Sequence, residues 1–181
     1  MKLGIIFYHC LLLLLFASSC NNNTNRVKNK ANQPINNFDS LINLVPEKSD
    51  SMSIALLNKS IENGNELEVT DAYIARINAL IGLGKFEEAQ ATAENCLIVS
   101  KKSNQTLKTL NVEYLIGITQ LQLGKFGESA KIFSGLLPKL EQSKQYYLLT
   151  KAKSNLGWSY YNSNQYELAI VQIKEALNDA K

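Results

Sequence analysis

The sequence predicts an all-α fold, an α-solenoid of antiparallel helical hairpins with about three repeats of 40-residue period and an N-terminal half repeat. A turn-like segment recurs at that period, a leucine follows each recurrence at a constant distance, and apolar residues at helical spacing precede it. The segments are Gly84-Lys85-Phe86, Gly124-Lys125-Phe126 and Asn164-Gln165-Tyr166, and the leucines are Leu97, Leu137 and Leu177.

Each residue type in the repeat has a mechanical reason. The glycine that opens each segment, or Asn164 in its place, can take the left-handed conformation that ends a helix. Gly117 and Gly157 are expected in the first helix of a hairpin, where two helix backbones approach closely, and Ile77 fills that position in the first repeat. Small residues are expected to face them from the second helix: Ala89, Ser129 and Ala169.

This pattern resembles the tetratricopeptide repeat (TPR), which has a glycine in the first helix, Gly-x-Tyr/Phe at the turn and a small residue three places later. The resemblance covers roughly residues 66–181. It implies antiparallel helix pairs stacked into a right-handed superhelix with a concave groove. The period here is 40 residues, against about 34 in the family, which indicates longer helices or connections.

The segment before the first full repeat is expected to add helices. Residues 39–45 are predicted to form a short helix that stops at Pro46. Residues 51–61 resemble the second helix of a hairpin, with Ile54, Leu57 and Ile61 on one face, and residues 63–65 close it. We therefore expect about seven longer helices in a repeat domain over residues 39–181.

The amino terminus has the features of a secretory signal: Lys2, an apolar stretch over residues 3–16 and small residues at 17–19. The order Ala17-Ser18-Ser19-Cys20 resembles the lipobox of bacterial lipoproteins. That resemblance implies a signal peptide over residues 1–19, lipid transfer to the Cys20 thiol, and a protein anchored at the outer or inner membrane of the bacterial cell envelope. The alternative is an ordinary cleaved signal in which Cys20 is incidental.

Residues 20–38 are predicted to be a flexible tether. Eight of the 17 residues from 21 to 37 are asparagine, and the segment has no aromatic residue there. Such a composition cannot bury enough apolar surface to offset the entropy of ordering.

Several kinds of chemistry are excluded by composition. The one histidine, His9, lies in the leader, so the mature chain has none for a catalytic triad or a metal site. Cys96 is the one cysteine in the repeat region and is expected to be buried and inert. The net charge of +3 gives no concentrated basic face for nucleic acid. We expect no enzyme activity, no metal and no cofactor.

The TPR resemblance implies that particular first-helix positions line the groove. They are Asp71, Ile74 and Asn78 in the first repeat, Asn111, Tyr114 and Ile118 in the second, and Lys151, Ser154, Trp158, Tyr161 and Asn162 in the third. Tyr114, Trp158 and Tyr161 would form an aromatic end of the groove, since aromatic residues with a polar tip are frequent at recognition surfaces. The alternative is that these rings pack as core.

These observations lead to a functional hypothesis: a lipid-anchored envelope adaptor that binds a protein or peptide through the groove. The alternative is a sensory or regulatory input module of a signalling system, which would act with a partner in trans or be a truncated relative of a longer protein. In the last helix, Ile170, Ile173 and Leu177 are expected to pack inward, and the helix either caps the stack or is capped by a partner chain. The identity of the partner and the oligomeric state stay open.

Overall fold

The computed structural model describes residues 46–180, with side chains from residue 48 onward. The predicted signal peptide, the tether and the short helix over residues 39–45 lie outside the described residues. Over the described range the chain forms helices and no strand, which confirms the predicted fold class. No helix in this range is both long enough and apolar enough to cross a membrane. The helices are α1 (Pro46–Asn63), α2 (Glu66–Gly82), α3 (Phe86–Lys102), α4 (Thr106–Gln122), α5 (Phe126–Gln142), α6 (Tyr146–Asn162) and α7 (Tyr166–Asp179).

Each helix packs against the next one along the chain, so α2–α3, α4–α5 and α6–α7 form three stacked hairpins. The first helices of neighbouring hairpins also contact each other, α2 with α4 and α4 with α6. Within the described residues the second helices, α3, α5 and α7, make no such contact with one another. Because the first helices lie closer together than the second helices, the stack curves with α2, α4 and α6 on its inner side.

Residues in the left-handed conformation end the helices at intervals of 20 positions. After α2, the Gly84 N–H donates to the Ile81 carbonyl (3.0 Å) and the Lys85 N–H to the Leu80 carbonyl (2.9 Å). This is the Schellman pattern, which satisfies carbonyl groups at a helix end, and it recurs after α3, α4, α5 and α6. Each of α2 to α6 has 17 residues, so a three-residue turn completes a unit of 20. The left-handed residues are Gly64, Gly84, Asn104, Gly124, Lys144 and Asn164.

In the second hairpin and in the third, the two helices of the hairpin approach each other at a glycine, as predicted. A Cβ atom on Gly117 would lie 2.8 Å from the ring of the fully buried Phe133. The Ser129 hydroxyl donates to the Gly117 carbonyl at 3.0 Å. In the third hairpin, a Cβ atom on Gly157 would lie 2.7 Å from the Ile173 side chain. These glycines therefore make room for a large side chain of the facing helix.

In the first hairpin the large side chain comes from the first helix, α2, and the small residue from the second helix, α3. Ile77 stands at the glycine position, and Ala93 stands where the second hairpin has its phenylalanine. Both are fully buried in one cluster with Cys96. Burial raises the pKa of the Cys96 thiol to about 12, and the negative charge of Asp71 adds to the effect. The prediction that Cys96 is a buried thiol is confirmed.

Helix α1 begins at Pro46, five residues before the predicted start, because proline fits a first helical turn, where its missing N–H has no partner. The predicted face of Ile54, Leu57 and Ile61 is wrong for Ile54 and Ile61, which are about half exposed, whereas Leu57 is half-buried. Small residues face α2 instead, where Arg76 forms an ion pair with Asp50 and hydrogen-bonds the Ser53 hydroxyl. The buried residues of α1 are Ser49, Ser53 and Ser60.

The prediction that Ile170, Ile173 and Leu177 pack inward on α7 is wrong for Ile170 and Leu177 and only partly right for Ile173, which packs against Gly157 of α6. Their exposed fractions are 54%, 47% and 61%. Among the described helices α7 contacts α6 alone. A single neighbour covers only a narrow face of a helix, and on α7 that face is centred on Ala169 and Ala176.

Gly117→Ala is expected to destabilise the fold, although alanine is the better helix former by about 1 kcal/mol. The added methyl group would press on the buried Phe133 ring, and overpacking of this kind costs about 1–3 kcal/mol. The matched control is Gly135→Ala in α5, where a Cβ atom would meet nothing within 4 Å and stability should rise by about 1 kcal/mol. Urea unfolding followed by circular dichroism measures both, and a Gly117→Ala variant as stable as Gly135→Ala would contradict the described packing.

Cys96 is expected to react with iodoacetamide at pH 8 more slowly in the folded chain than in the unfolded chain, by roughly two orders of magnitude. Its thiol is buried and protonated, so alkylation requires opening of the helix pair. Mass spectrometry of the peptide that contains residue 96 measures the rate. The control is Ile98→Cys on the same helix, where the native side chain is 68% exposed; equal rates at the two positions would place Cys96 at the surface.

Candidate partner-binding groove

The predicted binding positions other than Asn162 lie on one side of the first helices. On α6 this side carries Tyr147, Lys151, Ser154, Trp158 and Tyr161, spaced alternately by four and three residues, which places them on one helix face. The buried residues of α6 face its neighbours instead. Residues one and two periods earlier occupy the same side of α4 and α2. We call the surface formed by these three stripes the groove.

Because the first helices lie side by side, equivalent positions form rows across the groove. Successive rows are Leu67, Leu107 and Tyr147; Asp71, Asn111 and Lys151; Ile74, Tyr114 and Ser154; and Asn78, Ile118 and Trp158. Tyr161 follows one turn further along α6. The α2 and α4 members are half-buried apart from the two leucines, whereas the α6 members are exposed. The α6 side is therefore the most accessible part of the groove.

The α6 stripe ends in a cluster of three exposed rings. Trp158 and Tyr161 are stacked, with centroids 5.5 Å apart and planes at 18°. Tyr166 of α7 meets the Tyr161 ring edge-on at 5.6 Å. Trp158 is 36% and Tyr161 52% exposed. These two rings therefore lie partly exposed at the surface and are not core residues.

Tyr114, the third aromatic residue predicted at this site, belongs more to the framework. Its ring is half-buried and lies 5.7 Å from that of Phe133. The Asn155 side-chain amide donates to the Tyr114 hydroxyl at 3.0 Å and so links α6 to α4. Burial raises the pKa of the Tyr114 hydroxyl to about 12, so it stays protonated at neutral pH. Its role here is to hold two first helices together.

The Asp71 carboxylate also has a partner within the protein. The Lys108 ammonium lies 2.6 Å from the Asp71 carboxylate and donates to the Leu67 carbonyl at 3.2 Å. These contacts tie α4 to α2, as Asn155 and Tyr114 tie α6 to α4. Asp71 therefore offers a partner less negative charge than its sequence position suggests.

Lys151 leaves the α6 end of the groove positively charged. Its ammonium lies over the Tyr147 ring, 4.5 Å from the centroid, which is a cation–π geometry. None of the ion pairs among residues 48–180 includes Lys151. Lys151 and Tyr147 together present a cation and an aromatic ring at the surface.

The groove positions predicted from the sequence did not include the first row. Leu67, Leu107 and Tyr147 are 56%, 53% and 75% exposed. All three are large and apolar and stand one period apart, at the second residue of each first helix. Applying the 40-residue period to exposed positions, and not only to turn and core residues, would have found them.

Asn162 lies off the stripe. It is the last residue of α6, and its side-chain amide donates to the Trp158 carbonyl at 2.8 Å. This bond satisfies a carbonyl group near the helix end. The Asn162 side chain is therefore engaged with the backbone at the end of α6.

A cavity lies on the opposite side of α4 and contains no predicted site residue. It is an open cavity of about 450 Å³, whose apolar lining includes Leu97, Ile116 and Ile132 and whose rim carries the ion pair of Lys139 and Glu113 (2.8 Å). Within the part of the chain that the structure describes, no group of three or more His, Cys, Asp or Glu side chains could hold a metal ion.

Comparisons with known proteins relate the chain to others by its fold. No protein-family model and no curated protein matches the sequence. Among solved structures, that of the apo form of RapI is similar, with a TM-score of 0.64 at 17% sequence identity. The likeness covers 83% of this chain and 58% of the RapI chain, so this chain spans little more than half of RapI's length. At this identity the likeness shows the shared fold, a stack of helical hairpins.

Proposed function

We propose that this chain is a lipid-anchored envelope protein that binds a protein or peptide segment along its groove. The observation that carries the proposal is the alignment of exposed side chains in rows across α2, α4 and α6. A framework of contacts between the first helices, at Lys108–Asp71 and Asn155–Tyr114, holds the rows in place without a ligand. Such preorganisation reduces the entropy cost of binding.

The rows fit an extended segment that crosses the first helices. Packed helices lie roughly 8–10 Å apart, and an extended chain advances about 3.3 Å per residue. Every third side chain of the segment would then meet the next first helix. The row of Leu67, Leu107 and Tyr147 offers apolar contact, and the side-chain amides of Asn78 and Asn111 offer hydrogen bonds to the backbone of the segment.

The α6 end would supply most of the binding energy. Tyr147, Trp158 and Tyr161 are exposed aromatic residues on one helix face, and Lys151 adds a positive charge beside them. Aromatic residues dominate the energetics of protein interfaces because they bury a large area at a small cost in side-chain entropy. A segment with apolar side chains and an acidic residue near this end would suit the surface.

The lipid anchor places this binding at a membrane. We infer it from the lipobox-like order of Ala17, Ser18, Ser19 and Cys20, and from the asparagine-rich segment that separates Cys20 from the helices. Acyl chains on Cys20 would hold the protein at the bacterial envelope, and the tether would let the groove reach partners away from the lipid surface.

Tyr147→Ser is expected to weaken peptide binding by roughly ten-fold, because it removes the most exposed aromatic ring of the groove. Peptides are first selected on the immobilised protein from a phage-displayed random library. Their binding is then followed through the fluorescence of Trp158, the one tryptophan in the chain.

The matched control for this titration is Tyr146→Ser. Tyr146 is the neighbouring residue and is 61% exposed, but it stands outside the groove rows. Its loss should leave the affinity within about two-fold of the parent. Equal losses at Tyr146 and Tyr147, or none at either, would show that the selected peptides bind elsewhere.

Cys20→Ala is expected to abolish incorporation of an alkyne-tagged fatty acid into the chain in bacterial cells, because the Cys20 thiol is the proposed attachment point. Cys10→Ala is the matched control, since Cys10 lies ten residues earlier in the same leader. In-gel fluorescence after coupling a dye to the alkyne measures the label. A parent chain that takes up no fatty acid would refute the anchor and leave the groove proposal untouched.

A further inference from the structure

The exposed face of α7 carries a regular apolar stripe. Tyr166, Ile170, Ile173 and Leu177 are spaced by four, three and four residues and are 47–61% exposed. This is the spacing of the two core positions of a heptad, which align on one side of a helix and pack against another helix. Four exposed apolar residues on one stripe form a contiguous patch, unlike the single exposed apolar residues that are normal on a protein surface.

The preceding hairpin shows what these positions do when they are covered. One period earlier stand Phe126, Ala130, Phe133 and Leu137 of α5. Ala130 and Phe133 are buried, and Leu137 packs against the same cluster, which includes Leu149 and Ala152 of α6. The stripe on α7 is therefore the face that receives another helix in this fold. Among the described helices only α6 touches it, at Ile173 and Tyr166, and all four side chains stay about half exposed.

We propose that this face of α7 binds the α7 helix of a second copy of the chain, with the two helices antiparallel. In that arrangement Tyr166 meets Leu177 of the other copy, and Ile170 meets Ile173. The pairing face meets the groove only at Tyr166, whose ring contacts Tyr161. The proposal rests on charge complementarity and on the area that pairing would bury.

The charges beside the stripe favour antiparallel self-pairing. Glu167 and Lys174 are seven residues apart on one edge of the stripe, both are exposed, and neither joins an ion pair among residues 48–180. In an antiparallel pair, Glu167 of each copy lies beside Lys174 of the other, which creates two equivalent ion pairs. A parallel pair would set the two edges that carry these charges on opposite sides of the contact, so these ion pairs would not form.

The other acidic residues of α7 share one lysine of α6. The Lys153 ammonium of α6 lies 2.7 Å from the Asp179 carboxylate and 3.8 Å from that of Glu175. These contacts fix α7 against α6, so the stripe is presented on a supported helix. The charged side chains of α7 outside these ion pairs are thus those of Glu167 and Lys174.

The size of the face agrees with a modest but specific dimer. Helix α7 has 14 residues, which gives a contact roughly 21 Å long. Together with the flanking charged side chains and nearby atoms of α6, pairing would bury on the order of 1,000 Å² in total, the lower range for a specific interface. The two-fold arrangement closes on itself and leaves no stripe exposed.

Site-specific photo-cross-linking in cells that express the full chain tests the proposal. Ile170 is replaced by the photoreactive residue p-benzoylphenylalanine, and irradiation should yield a covalent product of twice the chain mass that contains only this protein. The matched control carries the same residue at Ile98 of α3, which is 68% exposed and distant in sequence from α7, and should yield no such product. A product at position 170 that contains a different protein, or no product, would overturn the proposal.

A charge exchange then tests the antiparallel geometry. Glu167→Lys and Lys174→Glu should each lower the yield of the cross-linked dimer by roughly five-fold, because each change makes two pairs repulsive. The double variant Glu167→Lys/Lys174→Glu should restore the parental yield. Both side chains are exposed, so all three variants should keep the helical circular dichroism signal of the parent. Failure of the double variant to restore the dimer would overturn the antiparallel arrangement.

Discussion

The left-handed residue that ends each helix is the constraint on which the rest of the structure depends. It closes the Schellman turn that reverses the chain, and it recurs every 20 positions from Gly64 to Asn164. Helices of equal length joined by equal turns place each hairpin in the same register as the one before it. Only with that register do side chains 40 residues apart in sequence become neighbours, in the core and in the groove alike.

Within this register, each hairpin fills its core by pairing a large side chain on one helix with a small residue on the other. Ile77 faces Ala93 in the first hairpin, whereas the second pairs a glycine with Phe133 and the third pairs a glycine with Ile173. Interiors are close-packed, so a large side chain on one helix requires a small one opposite. The glycines cost helix stability, and in the second hairpin the burial of Phe133 offsets that cost.

The features that could be predicted from the sequence are those that depend on neighbouring residues along the chain. Glycines at turns and small residues at helix crossings follow from periodicity, and the structure places them accordingly. The turns at Asn104 and Lys144 were not predicted, because residues other than glycine rarely adopt the left-handed conformation. The pairing of Lys108 with Asp71 depends on which helices lie side by side, and a pattern along one helix does not contain that information. The faces of α1 and α7 were misjudged for a related reason, since an apolar stripe identifies a packing face without saying whether a neighbour covers it.

The turn interval of 20 residues also limits how such a chain can lengthen or shorten during evolution. Every unit reverses the direction of the chain and alternates between the inner and the outer layer. An odd number of units gained within the stack would exchange the layers beyond the insertion, so that residues suited to the outer layer would arrive in the binding surface. An even number would keep the layers and widen each row of the groove by one residue per pair. Genetic duplication in this protein should therefore be tolerated two units at a time, and the breadth of what it can bind should change in discrete steps.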